Sequence, residues 1–194
     1  NNKISGASIV SYLLERSRVV HQGEGERNFH MFYQLLEAYP SKSELGLTQL
    51  SEYSYLVNKD DITVKDPRLS DTEMFKETTD ALSTLHFSAD EKSILFRVVA
   101  AVLHLGNIKF QNKPGSDIAM CPDMTNVNLA SKLLNVDSSL LLNAIINPER
   151  GEGGRRFKVE NNAEAAKNSI DALARSLYGR LFLWVVERIN SELN

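Results

Sequence analysis

Few residues in this 194-residue chain are spaced so that they could do chemistry. The densest group is Arg150, Arg155, Arg156 and Lys158, four cations within nine positions, set against Glu149 and Glu152 for a local charge of +2. The stretch Pro148 to Arg156, PERGEGGRR, is rich in glycine and lacks apolar residues, so it reads as an exposed loop. Such a loop suits either docking to an acidic partner or simple solvation, and composition leaves both open. A phosphate cradle would need backbone N–H groups and a lysine in a G-x-x-x-x-G-K-[ST] frame, which the sequence does not contain; GEGG at 151–154 is a lone glycine cluster.

The other reactive residue types are scattered. His21, His30, His86 and His104 lack the i, i+4 spacing of a metal site, and His30 and His104 stand among apolar residues, as hydrogen-bonded core histidines do. Cys121 is the single cysteine, which excludes an internal disulfide and fits a reducing, cytoplasmic compartment. Asp60-Asp61, Glu24 and Glu26 read as solvated loop charges, with Glu26 near a helix start. Arg27 and Asn28 fall at a junction of two elements, where they either fasten the junction by hydrogen bonds or meet a ligand. No catalytic or metal-binding constellation emerges.

The elements that must position these residues are mostly helices. Ser8 to Val20 mixes β-branched and aromatic residues with leucines and precedes Gly23 and Gly25, so much of it reads as strand. From Glu26 onward, Phe29, Phe32, Tyr33 and Leu36 recur at i, i+3, i+4 and i+7, a helix with an aromatic face that Pro40 ends. Ser41-x-x-Glu44, Ser70-x-x-Glu73 and Ser88-x-x-Glu91 are capping boxes, each ahead of an apolar helical pattern. The third opens a helix over 91–105 that is apolar nearly all round, and Gly106 is a natural stop for it. Ile62 to Val64 and Ile108 to Phe110 read as short extended pieces, and Gln111 to Pro122 as a turn-rich surface loop. Asn126 to Leu134 and Ser138 to Ile146 are short leucine-rich helices, and Ala163 to Asn194 is one long helix.

Composition agrees with a globular protein, and the patterns above make it mainly α: 42% of residues are hydrophobic and 24% charged, with 5 Pro and 10 Gly. A chain of this size buries roughly 70% of its unfolded surface, enough for a core. A net charge of -3 argues against a nucleic-acid coat protein, and the most apolar stretch, Ile94 to Leu105, is interrupted by Arg97 and His104. Nucleic acid and membrane are therefore not expected partners. The chain opens on Asn1-Asn2 and stops inside a helical pattern, so it reads as a fragment.

Four blocks in order carry a family resemblance: GASIVSYLLERSRVV running into GERNFHMFYQLL, LHLGNIKF at 103–110, the loop around NPERGEGGRR, and DALARSLYGRLFLWVVERIN at 171–190. Together they resemble the myosin motor domain nearly end to end. The resemblance implies the helical upper 50-kilodalton subdomain of a P-loop NTPase motor, lying between switch I and switch II, with an N-terminal edge strand of the central sheet. It implies a transducer-type strand and turn at 1–25, a helical core at 26–146 with the surface loop 111–122, a cardiomyopathy-type loop at 147–162, and a helix at 163–194 leading toward switch II. The parent would be an actin-activated ATPase that uses Mg-ATP, cytoplasmic and cytoskeletal, with light chains only on regions outside this chain. This piece would supply a wall of the actin-binding cleft, a strand of the coupling sheet, and no catalytic, cofactor or metal residue. A stand-alone interaction domain derived from such a head, without ATPase activity, is the alternative.

By position in the family, Arg150, Arg155, Arg156 and Lys158 become actin contacts, with Lys113 in the loop called loop 4. One departure accompanies this. Sixteen positions before Asp171, where many myosins carry Thr, Ser, Asp or Glu, this chain has Arg155. Regulation of the loop by phosphorylation at that place is thereby put in question.

Overall fold

The computed structural model describes residues 6–57, 70–151 and 156–193. Asp60-Asp61, the extended piece expected at Ile62 to Val64, and Arg155 lie outside these residues. The described chain is mainly helical: α1 (His30–Ala38), α2 (Asp71–Thr84), α3 (Ala89–Asn107), α4 (Thr125–Leu134), α5 (Ser138–Ile146) and α6 (Ala163–Leu193). Two antiparallel hairpins of two-residue strands complete it, β1 (Gln111–Asn112) with β2 (Ala119–Met120) and β3 (Glu149–Arg150) with β4 (Phe157–Lys158). Among the described residues no single helix is long and apolar enough to cross a membrane.

Helix starts follow the side chains that satisfy free N–H groups. Ser88 accepts from the Glu91 N–H at 3.1 Å while the Glu91 carboxylate accepts from the Ser88 N–H at 2.7 Å, a complete capping box. Ser70 caps α2 by accepting from the Glu73 N–H at 3.2 Å. Ser41 does not cap: Lys42–Leu45 is a single 3-10 turn without a side-chain cap, and Gly46 at φ +63 ends it. Asn135, at φ +55, turns the chain between α4 and α5.

α3 is the central element, buried on most sides from Leu95 to Gly106. Its first part joins a large cluster with Phe32 and Leu35 of α1, Phe75 and Leu82 of α2, and Tyr53 and Leu56 of the loop between them. Its last turn joins a second cluster of Leu105, Ile108, Ala119, Val127, Ala130, Ile145, Ala166 and Ile170. Tyr178 of α6 stacks on Phe29 at 4.7 Å between ring centroids and meets Phe32 at 5.2 Å, so the aromatic face expected for α1 closes against the long helix.

Three further expectations change. The segment over Ser8 to Glu15 is not a strand: it has no ladder neighbour, and runs along the end of α6 with Ala7 N–H donating to the Leu193 carbonyl and Ile9 bonding Asn190 in both directions. A strand exists only through a paired edge, and none lies there among the described residues. Val10, Tyr12 and Leu13 are left more than four-fifths exposed. Gly106 does not stop α3 but lies within it, its backbone pressed on the ring of Tyr55. His30 is exposed, whereas His104 is a core histidine, 2% exposed, whose Nε2 lies 2.8 Å from the Leu45 carbonyl.

Candidate functional site

Of the cations singled out by the sequence, Arg150, Arg156, Lys158 and Lys113 are described and sit on the two hairpins, one rooted in the second core cluster through Ala119 and the other tied to the end of α5. The 3.0 Å bond from the Val159 N–H to the Pro148 carbonyl closes the root of the β3–β4 hairpin, and the next bond, Asn161 N–H to the Ile146 carbonyl at 2.8 Å, ties it to the end of α5. In this frame Lys158 pairs with Glu149 across the ladder and Arg150 with Phe157. Arg156 is 81% exposed at the side chain, 3.8 Å from the Glu149 carboxylate, a surface ion pair that holds little energy. Lys158 is exposed, and Phe157, between the two cations in sequence, is 60% exposed. Alternation along β4 turns Phe157 and Lys158 to opposite faces, so the hairpin meets solvent on both.

Lys113 belongs to the other hairpin. Its N–H donates to the Ile118 carbonyl at 2.8 Å, Gly115 at φ +72 shapes the turn, and its side chain points away from the core into solvent. The hairpin is rooted by Ala119, 1% exposed, in the second cluster. The structure therefore places Arg150, Arg156 and Lys158 on one hairpin and Lys113 on its neighbour.

Sequence reasoning missed what joins them. Asn161 is 2% exposed and lies where the two hairpin roots meet. Its carbonyl accepts from the Ala119 N–H at 2.8 Å, and its side-chain amide donates to the Ile145 carbonyl at 2.8 Å and to Ser169 Oγ at 3.2 Å. Two residues on, the Ala163 N–H donates to Asn112 Oδ1 at 2.8 Å, a second tie to the first hairpin. The only available signal was an Asn-Asn pair before a helix, which reads as an N-cap; Asn162 does fill that role, accepting from the Ala165 N–H at 2.8 Å.

The Arg27–Asn28 junction is a fastening. Arg27 Nη2 donates to Asp71 Oδ2 at 2.7 Å, with the guanidinium carbon 3.8 Å from the Tyr33 ring centre. The Asn28 side-chain amide donates to the Arg18 carbonyl at 3.0 Å, its Oδ1 accepts from the Tyr33 hydroxyl at 3.2 Å, and Arg18 returns a 3.0 Å bond to the Arg27 carbonyl. Burial pushes the Tyr33 hydroxyl up, so it stays a donor here. A second buried polar contact, Tyr55 hydroxyl to Asp171 Oδ1 at 2.6 Å, ties the 53–56 turn to α6. Burial first, and the Asp171 carboxylate second, hold that phenol protonated far above its ordinary range. Cys121, half-buried with its thiol pushed up by burial, is no activated nucleophile.

Among the described residues no group of three or more His, Cys, Asp or Glu side chains could hold a metal ion. Comparison with known proteins supplies what the geometry alone does not. The family model described as Myosin head (motor domain) matches residues 1–194.

The chain belongs to the myosin head family.

It is 40% identical to the Myosin IB heavy chain of Dictyostelium discoideum over 97% of this chain and 18% of that protein. It is 36% identical to the Myosin-K heavy chain of the same organism, over 100% of this chain and 23% of the relative. With the Unconventional myosin-Ic of Aquarana catesbeiana it shares 38% identity over 97% of this chain and 18% of the relative. The chain thus spans less than a quarter of the length of each of these relatives, and it is a piece of a myosin head.

Proposed function

We propose that this piece of the myosin head is the part of the upper 50-kilodalton subdomain between switch I and switch II, forming one wall of the actin-binding cleft. On this reading the exposed cationic hairpin β3–β4 is the actin-facing loop, with Arg150, Arg155, Arg156 and Lys158 as contacts and Lys113 as an outlying one. The observation that carries the reading is a hairpin that exposes Arg156, Phe157 and Lys158 to solvent while its root is held by hydrogen bonds from Val159 to Pro148 and from Asn161 to Ile146. An exposed aromatic with adjacent cations matches what binds an acidic surface, and a rigid root lowers the entropy cost of docking.

On this reading Ser8 to Glu15, unpaired here, would meet a sheet neighbour in the whole head and so couple the cleft to the nucleotide site. Its exposed apolar residues Val10, Tyr12 and Leu13 support this, since they are what a sheet neighbour would cover. Mg-ATP enters only through the whole head. No residue of this chain is assigned to it, and none of its steps runs through the side chains described here. On the same reading the regions 1–25, 26–146, 147–162 and 163–194 would serve as the segment and turn facing the central sheet, the helical core, the actin loop and the helix toward switch II. The parent is a cytoplasmic, cytoskeletal actin motor on the same reading.

Carbodiimide cross-linking of a head carrying this segment to filamentous actin, with peptide mapping, tests the placement. Lys158 is expected in a covalent link to an actin carboxylate, with Lys113 in lower yield. Cross-links confined to other parts of the head, with both lysines unmodified, would remove the loop from the interface.

A further inference from the structure

We infer that Asn161 is the positioning residue that makes the two hairpins one mechanical unit, so that a load or contact on one is registered by the other. The stretch 159–163 is shared between them. Along one edge, Val159 and Asn161 bond to Pro148 and Ile146, which closes the β3–β4 hairpin onto α5. On the other edge, the Asn161 carbonyl holds Ala119 and the Ala163 N–H holds Asn112, which closes the β1–β2 hairpin onto the same five residues. The two edges cannot move apart without breaking the 2.8 Å bonds that Asn161 makes to Ile146 and Ala119, and at buried Asn161 and Ala119 an unmade hydrogen bond is costly.

The side chain sets the arrangement. The Asn161 amide spans the Ile145 carbonyl at the end of α5 and the Ser169 hydroxyl on α6, while Ser169 donates back to the Ala165 carbonyl at 2.9 Å. One buried amide therefore fixes the angle between two helices and the segment that carries both hairpin roots. Asn161 and Ile145 are both buried, so water is not at hand to replace the lost donors. Serine or aspartate at this position could not reach both acceptors with N–H donors.

Coupling of this kind is reciprocal, because each hairpin's closed state stabilises the shared stretch the other needs. The part of the inference that concerns actin rests on the reading given above; the tie between the hairpins does not.

Hydrogen exchange on a head carrying this segment separates the two. In Asn161→Ala, exchange is expected to speed up by roughly tenfold at the Val159 N–H and also at the Ala119 N–H in the other hairpin, with the α3 core unchanged. If Val159 accelerates and Ala119 stays as protected as in the parent, the hairpins are independent and the inference fails. Should that variant not fold, Asn112→Ala removes the exposed end of the second tie; it must accelerate Val159 as well as Ala163, and an unchanged Val159 again overturns the coupling. Actin affinities of Lys113→Glu, Lys158→Glu and the double variant complete the test. Their effects are expected to be non-additive in the parent and additive in Asn161→Ala, a change that a purely stabilising asparagine would not cause. Measurable single effects that add in both backgrounds overturn the inference. Charge reversals without effect on actin in any background, with exchange still coupled, would overturn the actin reading and leave the tie standing.

Discussion

Gly106→Ala reverses the ordinary rule for glycine in a helix and shows why this one is needed. In an exposed helix the change gains about 1 kcal/mol, because alanine loses less backbone entropy. Here the new Cβ would fall 2.6, 2.7 and 2.8 Å from Cδ2, Cε2 and Cγ of Tyr55, well inside ordinary contact distance. The ring cannot swing away freely, since Tyr55 is 3% exposed and its hydroxyl is held by Asp171. Overpacking of this kind costs about 1–3 kcal/mol. Displacing the ring also weakens a hydrogen bond to a charged acceptor, worth about 1.5–3 kcal/mol when intact. The net expectation is destabilisation by about 2 kcal/mol, or about 4–8 °C in Tm for a domain of this size. Urea unfolding of the smallest folded polypeptide carrying the segment is the assay. In a Tyr55→Ala background the same change should become stabilising by about 1 kcal/mol, because only the helix preference remains. A Gly106→Ala variant as stable as the parent, with no dependence on Tyr55, would refute the packing argument.

Asp71→Ala leaves the Arg27 guanidinium, 8% exposed at the side chain, without its anion and should cost about 3 kcal/mol in the same unfolding assay; a loss below a few tenths would mean that the pair is only a surface contact. The Glu91 carboxyl is held below its ordinary value by the Ser88 N–H first and by Arg188 second. Since its folded pKa is depressed, its contribution is fully present above about pH 4.5 and is lost as pH falls through the lower folded value. Glu91→Gln should therefore flatten the acid limb of stability against pH, and an identical acid limb would contradict the capping box as its source. Arg155→Glu should change the actin affinity of a whole head in a salt-dependent way; affinity unchanged across a salt series would remove Arg155 from the interface.

The helical part of the fold was legible because helix starts and faces have local causes. Ser88 and Glu91 satisfy each other, Ser70 satisfies Glu73, and the 3.6-residue spacing of Phe29, Phe32, Tyr33 and Leu36 needs only one face to pack against. Ser41-x-x-Glu44 shows the limit: the letters of a box do not make a helix when only four residues follow before Gly46 turns left-handed. Ser8 to Glu15 has strand composition, but pairing is a property of two segments and no second one pairs with it among the described residues. The cations of the site were legible as a cluster, whereas their support was not. Asn161 and Asp171 are polar letters before and within a helix, and nothing local tells that one is buried between two hairpin roots and the other accepts from Tyr55, 116 positions away.

The central claim is that β3–β4 is the actin-facing surface of a myosin head, and the most direct measurement is actin co-sedimentation of a head carrying Arg156→Glu and Lys158→Glu together, over a range of salt. Two reversed charges at a screened surface should weaken binding by roughly tenfold at low salt and reduce its salt dependence. Equal affinity and equal salt dependence in parent and variant would contradict the claim.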